Sequence, residues 1–208
     1  MKLQVLILFS LATAATNGIA ALAINIASNP TTGAYFVLSD GATRIPDGSL
    51  VRLGSFAAAP ATDSTLAQLE LAFTEYAATT SGHTAASGAN KGLINRANIA
   101  DAPGGATEVS FTGKNLYIWV YNTPTAAAAT QFGVYTSTDA SWKFAPSIDD
   151  PAVSASTALI NTAIGRGLTP ASLTTGTPNV YRLANLVPET STFSLVALAA
   201  LGLMRRKR

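Results

Sequence analysis

Asn115–Asn122 reads NLYIWVYN, and its alternation decides the fold class. In an extended chain successive side chains point to opposite faces, so Leu116, Ile118 and Val120 share one side and Tyr117, Trp119 and Tyr121 the other. A strand apolar on both faces is expected at the centre of a sheet, covered on both sides. The second reading takes the aromatic row Tyr117, Trp119, Tyr121, with Trp142 nearby in sequence, as an exposed platform on which sugar rings stack. Burial of the rings decides between the two.

Working outward, QFGVYTS (Gln131–Ser137) and SWKF (Ser141–Phe144) are expected as neighbouring antiparallel strands. Upstream, GAYFVLS (Gly33–Ser39) and LVRLGSF (Leu50–Phe56) are separated by Asp40-Gly41 and Pro46-Asp47-Gly48-Ser49. In these turns Gly accepts positive φ and Pro presets the first corner, which predicts a β-meander. Leu66, Leu69, Phe73 and Tyr76 recur at helical spacing after Asp63 or Ser64 as N-cap, predicting one amphipathic helix packed on a sheet. Its polar side carries Gln68, Glu70 and Glu75. Residues 78–105 read as a Gly/Ala/Ser/Asn-rich loop pinned only by Leu93-Ile94 and Ile99. Helix and strand remain open for Thr157–Ile164, and Val180–Leu186 is expected as a closing strand. Short strands, frequent turns and one helix predict a mainly β fold, a single β-sandwich or jelly-roll-like domain over residues 24–186.

The two ends are of another kind. The start, MKLQVLILFSLATAATNGIAALA, has Lys2, an apolar run from Leu3 to about Ala15 and the small-residue exit Ala21-Leu22-Ala23. These are the parts of a secretory signal peptide over residues 1–23, cut after Ala23 by signal peptidase. Near the other end, the apolar run Phe193–Met204 is about 18 Å long as a helix at 1.5 Å per residue. That falls short of the roughly 30 Å hydrocarbon core. Arg205, Arg206, Lys207 and Arg208 follow it, and such a block stays with cytoplasmic water and anionic headgroups.

The order Val187-Pro188-Glu189, short apolar helix and basic end resembles the PEP-CTERM sorting signal of Gram-negative bacteria. The resemblance covers residues 187–208, with the motif at 187–190, the helix at about 191–204 and the basic stop at 205–208. Thr190 stands where the family usually has a second proline. GAYFVLSDGATRIPDGSLVRLGSF is also similar to the first part of uncharacterised bacterial PEP-CTERM proteins, a likeness that carries no known activity. The resemblance implies export across the inner membrane, transient membrane attachment through the C-terminal helix, and cutting near Pro-Glu by an exosortase-type enzyme. The protein would then be that peptidase's substrate, released to the cell surface or the extracellular polysaccharide matrix in a structural or adhesive role. Pro188 suits such a cut, because it biases Val187 towards an extended conformation. The same tail is described on some ice-binding proteins, but the Thr-rich stretches here have no fixed period that would build a flat array.

Other chemistries find little footing. The 208-residue chain carries a formal net charge of +2, yet residues 24–187 hold eight Lys/Arg against ten Asp/Glu. The basic excess therefore lies beside the apolar runs and builds no stripe for nucleic acid. Cysteine is absent, which excludes disulfides and thiolate chemistry. The single histidine, His83, lies in a Ser-Gly-His-Thr loop with no Gly-x-Ser-x-Gly motif to serve. A secreted hydrolase is the third reading and would need His83 or two body carboxylates to converge. Asp149-Asp150 precede Pro151 as turn residues; a loop calcium site using them or Asp139 lacks the alternating acids of known Ca²⁺ loops. No cofactor and no metal are expected.

Overall fold

The structure, a computed structural model, describes residues 23–28, 34–82, 91–99, 111–144, 152–168, 172–174 and 179–186. Among the described residues it is mainly β, sandwich-like, with one α-helix. The largest sheet is built around NLYIWVYN. Strand β3 (Leu50–Phe56) pairs on one side with β4 (Phe73–Thr80) and on the other with β6 (Tyr117–Tyr121). Beyond β6 lies β7 (Gln131–Thr136), which also pairs with β9 (Thr162–Ile164) and the two-residue β12 (Ala184–Asn185). Five of these six strands follow the order β12-β7-β6-β3-β4, and β9 branches from β7.

Two three-stranded sheets pack on one face of it. In the first, β1 (Ala23–Ala27) lies between β5 (Arg96–Ile99), antiparallel, and β8 (Ala152–Ser156), parallel. In the second, β11 (Asn179–Arg182) lies between β2 (Ala34–Val37), parallel, and β10 (Leu173–Thr174), antiparallel. Ile24, Ile26, Phe36, Val153 and Tyr181 from these sheets meet Val51, Leu53, Ile118, Val120 and Tyr135 of the large sheet in the main core.

The opposite face of the large sheet is also buried. Tyr117, Trp119, Tyr121, Phe132 and Val134 form a second cluster with Phe56, Ile164 and Leu69 of helix α1 (Leu66–Ala72). Strand β6 is thus covered on both faces, with all five residues buried, as its double apolar alternation predicts. The burial of one Leu69-sized side chain contributes about 2 kcal/mol.

Several local expectations give way to long-range pairing. The helix has seven residues, and Phe73 and Tyr76 belong to β4. Phe73-Thr74-Glu75-Tyr76 is rich in residues that favour strands, and pairing with seven residues of β3 outweighs continuation of the helix. The N-cap is Thr65 rather than Asp63 or Ser64: Thr65 Oγ1 accepts from Gln68 N–H and Gln68 Oε1 accepts from Thr65 N–H, a capping box. The register runs from Leu53↔Ala77 to Gly54↔Glu75 and skips Tyr76, a bulge that leaves both Tyr76 and Ala77 in the main core. Gly54 is required beside it, because a Cβ there would collide with the Thr74 carbonyl oxygen.

The expected meander does not form, since β2 and β3 enter different sheets. The Asp-Gly turn itself does: Asp40 Oδ1 accepts from the N–H groups of Ala42 and Thr43, and Gly41 has φ +76°. SWKF is no strand. Asp139 Oδ1 caps a 3-10 turn, Ala140–Trp142, and a lone bridge joins Lys143 to Asn115. The supposed loop 78–105 contains the end of β4 and all of β5, while residues 83–90 and 100–105 fall outside the described set. Thr157–Ile164 divides into a 3-10 turn, Thr157–Leu159, and β9. The closing segment divides at Leu183 into β11 and β12, in two different sheets.

Candidate functional site

The sorting motif Val187, Pro188, Glu189, Thr190 and the basic stop Arg205, Arg206, Lys207, Arg208 lie outside the described residues, as do Ala21, His83, Asp149 and Asp150. Ala23, the expected last residue of the signal peptide, opens β1 opposite Ala152. No described helix is long and apolar enough to cross a membrane.

The aromatic platform is corrected. Trp119 and Trp142 are 0% exposed, Tyr121 1% and Tyr117 4%. The rings stand in one row, but α1, Phe56 and Phe73 cover it; Phe73 meets Trp119 edge-on at 5.3 Å and Phe56 meets Tyr117 at 4.9 Å. Trp142 lies in the main core, on the other side of the sheet, where its Nε1 donates to Ser156 O at 3.1 Å. Tyr117, Trp119 and Tyr121 thus share one covered face, Trp142 lies on the other side, and none of the four is open to a sugar.

Covering that row is a charged cluster that sequence reading did not assemble. Arg52 stands beside Trp119 in the β3–β6 register, with its guanidinium 5.0 Å from the Trp119 ring and 5.1 Å from Phe73. Nη1 donates to both carboxylate oxygens of Glu70 at 2.8 and 2.9 Å, and Nε donates to Glu75 Oε2. Tyr121 Oη completes the ring, 3.2 Å from both Arg52 Nη1 and Glu70 Oε1. Burial on its own would ease deprotonation of Arg52, but the hydrogen bonds that it donates to Glu70, Glu75 and Tyr121 outweigh it and raise its pKa. Burial also pushes the Tyr121 hydroxyl up, against the pull of Arg52. The one sequence signal for this cluster was Arg52 itself, a charge at an outward position of LVRLGSF, with Glu70 and Glu75 on the predicted polar side of the helix.

Chemically this arrangement is a clasp. The cation is matched by two carboxylates. At the N-terminal end of α1 an open cleft of about 380 Å³ is lined by Ala61, Asp63, Ser64, Thr65, Gln68 and Arg166. Its walls are tied by Gly165 N–H to Thr62 O at 3.0 Å and Arg166 N–H to Ser64 O at 2.9 Å. Asp139, the described carboxylate of the calcium alternative, is occupied as a cap by Ser141 N–H and Oγ–H.

Comparison with protein-family models, with curated proteins and with solved structures finds no match for this chain.

Proposed function

We propose that this is an exported protein whose β-sandwich-like body is delivered to the cell surface or the extracellular polysaccharide matrix by residues 187–208, and that it serves there as a structural or adhesive component. The observation that carries the reading is the order of Val187-Pro188-Glu189, the apolar run Phe193–Met204 and the block Arg205–Arg208 behind a secretory start.

In this reading signal peptidase cuts after Ala23, the apolar run holds the chain briefly in the inner membrane of a Gram-negative cell, and an exosortase-type peptidase cuts near Pro188-Glu189. The protein is the substrate of that reaction. Intact-mass measurement of the exported protein, with and without an exosortase, tests it. Loss of the segment beyond Pro188-Glu189 only when the enzyme is present is the expected result; an uncut tail under both conditions overturns the proposal.

A further inference from the structure

We propose that the open cleft beside α1 binds a uronate residue of an acidic polysaccharide, a choice of ligand that rests on the polysaccharide matrix as the protein's destination. The cleft holds about 380 Å³, within the roughly 300 to 1,000 Å³ of small-molecule sites. Its walls are two segments that the fold brings together, the approach to α1 and the turn after β9. Gly165 N–H and Arg166 N–H donate across it to Thr62 O and Ser64 O. Arg166 stands between Gly165 at φ +137° and Gly167 at φ +92°, backbone conformations that glycine adopts without strain. Next to this turn, Ile164 is buried in the second cluster and anchors it to the large sheet.

Four side chains at this cleft keep polar groups for a guest. Both ion pairs among the described residues belong to Arg52, so Asp63 and Arg166 line one cleft without neutralising each other. Ser64 is 8% exposed, and its hydroxyl has no hydrogen-bond partner among the described residues. Trp119 Nε1 is the only fully enclosed side-chain nitrogen or oxygen without a partner there. The Ser64 hydroxyl is therefore open, and the cleft is what Ser64 lines. Gln68 uses Oε1 on Thr65 N–H and keeps its two Nε2 donors. Helix α1 has seven residues and Thr65 already caps it, so recognition rests on these side chains and not on the helix end.

The set selects its guest by charge and by hydrogen bonding together. Arg166 offers a planar fork of donors that matches a carboxylate in parallel hydrogen bonds. Asp63 accepts hydroxyl protons, while Ser64 and Gln68 serve hydroxyl oxygens. A compact dianion such as phosphate would meet Arg166 but be repelled by Asp63, and a neutral sugar would leave Arg166 without its partner. A uronate carries a carboxylate and a row of hydroxyls on one ring and satisfies both sides. Because the cleft is open, an internal residue of a chain sits in it while the polymer continues on either side. An α-amino acid also joins an acid to a group for Asp63, but brings no hydroxyl row to Ser64 and Gln68.

The test titrates the purified full-length chain, in a neutral detergent, with tri-galacturonate while backbone amide signals are followed by NMR. Saturable shifts centred on residues 61–68 and 165–167 are expected, and the methyl ester of the same trisaccharide should bind roughly tenfold more weakly. Arg166→Gln is expected to weaken tri-galacturonate about tenfold, and Ser64→Ala about fivefold, the factor for one net hydrogen bond. Lys143→Gln removes the same charge from a residue that does not line the cleft and is expected to change nothing. The site is overturned if the cleft amides do not shift, if the ester or glycine binds as tightly, or if Lys143→Gln weakens binding as much as Arg166→Gln. Such a failure leaves the sorting reading standing on its own mass measurement; an uncut tail on a chain whose cleft binds tri-galacturonate overturns the sorting and leaves the site.

Discussion

Arg52 and Glu70 bind through one nitrogen and two oxygens, and this contact joins helix α1 to the sheet it covers. The Arg52 side chain is 17% exposed and that of Glu70 40%, so the pair sits where solvent weakens the carboxylate more than the guanidinium. Removing the two partners should therefore have unequal effects. Glu70→Gln keeps the shape and leaves Glu75 on Arg52, and is expected to cost up to about 1 kcal/mol, the range of exposed pairs. Arg52→Ala removes the stem packed over Trp119 and Phe73 and leaves two carboxylates without their cation, with an expected cost of about 2 to 3 kcal/mol. Urea denaturation of the two variants measures both, and equal losses would refute this division of roles.

Trp119 carries the only buried side-chain nitrogen or oxygen among the described residues that lacks a hydrogen-bond partner, its Nε1. An unmade bond of that kind costs about 1 to 3 kcal/mol. Trp119→Phe abolishes the donor while keeping an aromatic ring against Tyr121 and Phe73. The smaller ring loses packing, and the two effects oppose each other, so the expected net change is within about 1 kcal/mol. Trp119→Ala has no such compensation and is expected to cost about 3 to 5 kcal/mol. A Trp119→Phe loss as large as that of alanine, read from thermal or urea unfolding, would show that the indole N–H is satisfied in solution.

The parts of this fold that could be read in the sequence are those in which short-range pattern and long-range burial agree. NLYIWVYN is apolar on both faces, and a central strand covered on both sides is the arrangement that satisfies it. Asp40-Gly41 forms its turn because the side chain of Asp40 supplies the acceptor locally. Tyr76 shows the opposite case. Its spacing from Leu69 and Phe73 fits a helix, but β3 offers a full row of backbone partners, and the bulge then turns Tyr76 into the main core. The Arg52 clasp was hidden because its members come from β3, α1 and β4, and no spacing in one dimension encodes that meeting. The hydrogen bonds of Ser39 with Gln131 and Asn185 join residues 92 and 146 positions apart and were hidden for the same reason.

Alkaline pH should loosen the main core through its tyrosines. Tyr181 Oη–H donates to Thr157 O at 2.7 Å, and Tyr135 Oη–H donates to Arg182 O at 2.7 Å. Burial pushes the Tyr181 hydroxyl from its ordinary 10.0 up to about 12 and raises that of Tyr135 further, with Tyr181 adding to the rise. The folded state therefore keeps these protons at a pH where the unfolded chain has released them. Stability from this source is complete below about pH 10, the unfolded value, and declines as pH rises through the folded one. Urea midpoints measured from pH 8 to 12 should be level at first and then fall. Tyr135→Phe cannot ionise, so its fall should be shallower, after an initial cost of about 1 kcal/mol at pH 8 for the unpaired Arg182 carbonyl. A wild-type midpoint unchanged to pH 12, or a Tyr135→Phe curve parallel to wild type, would place the alkaline sensitivity elsewhere.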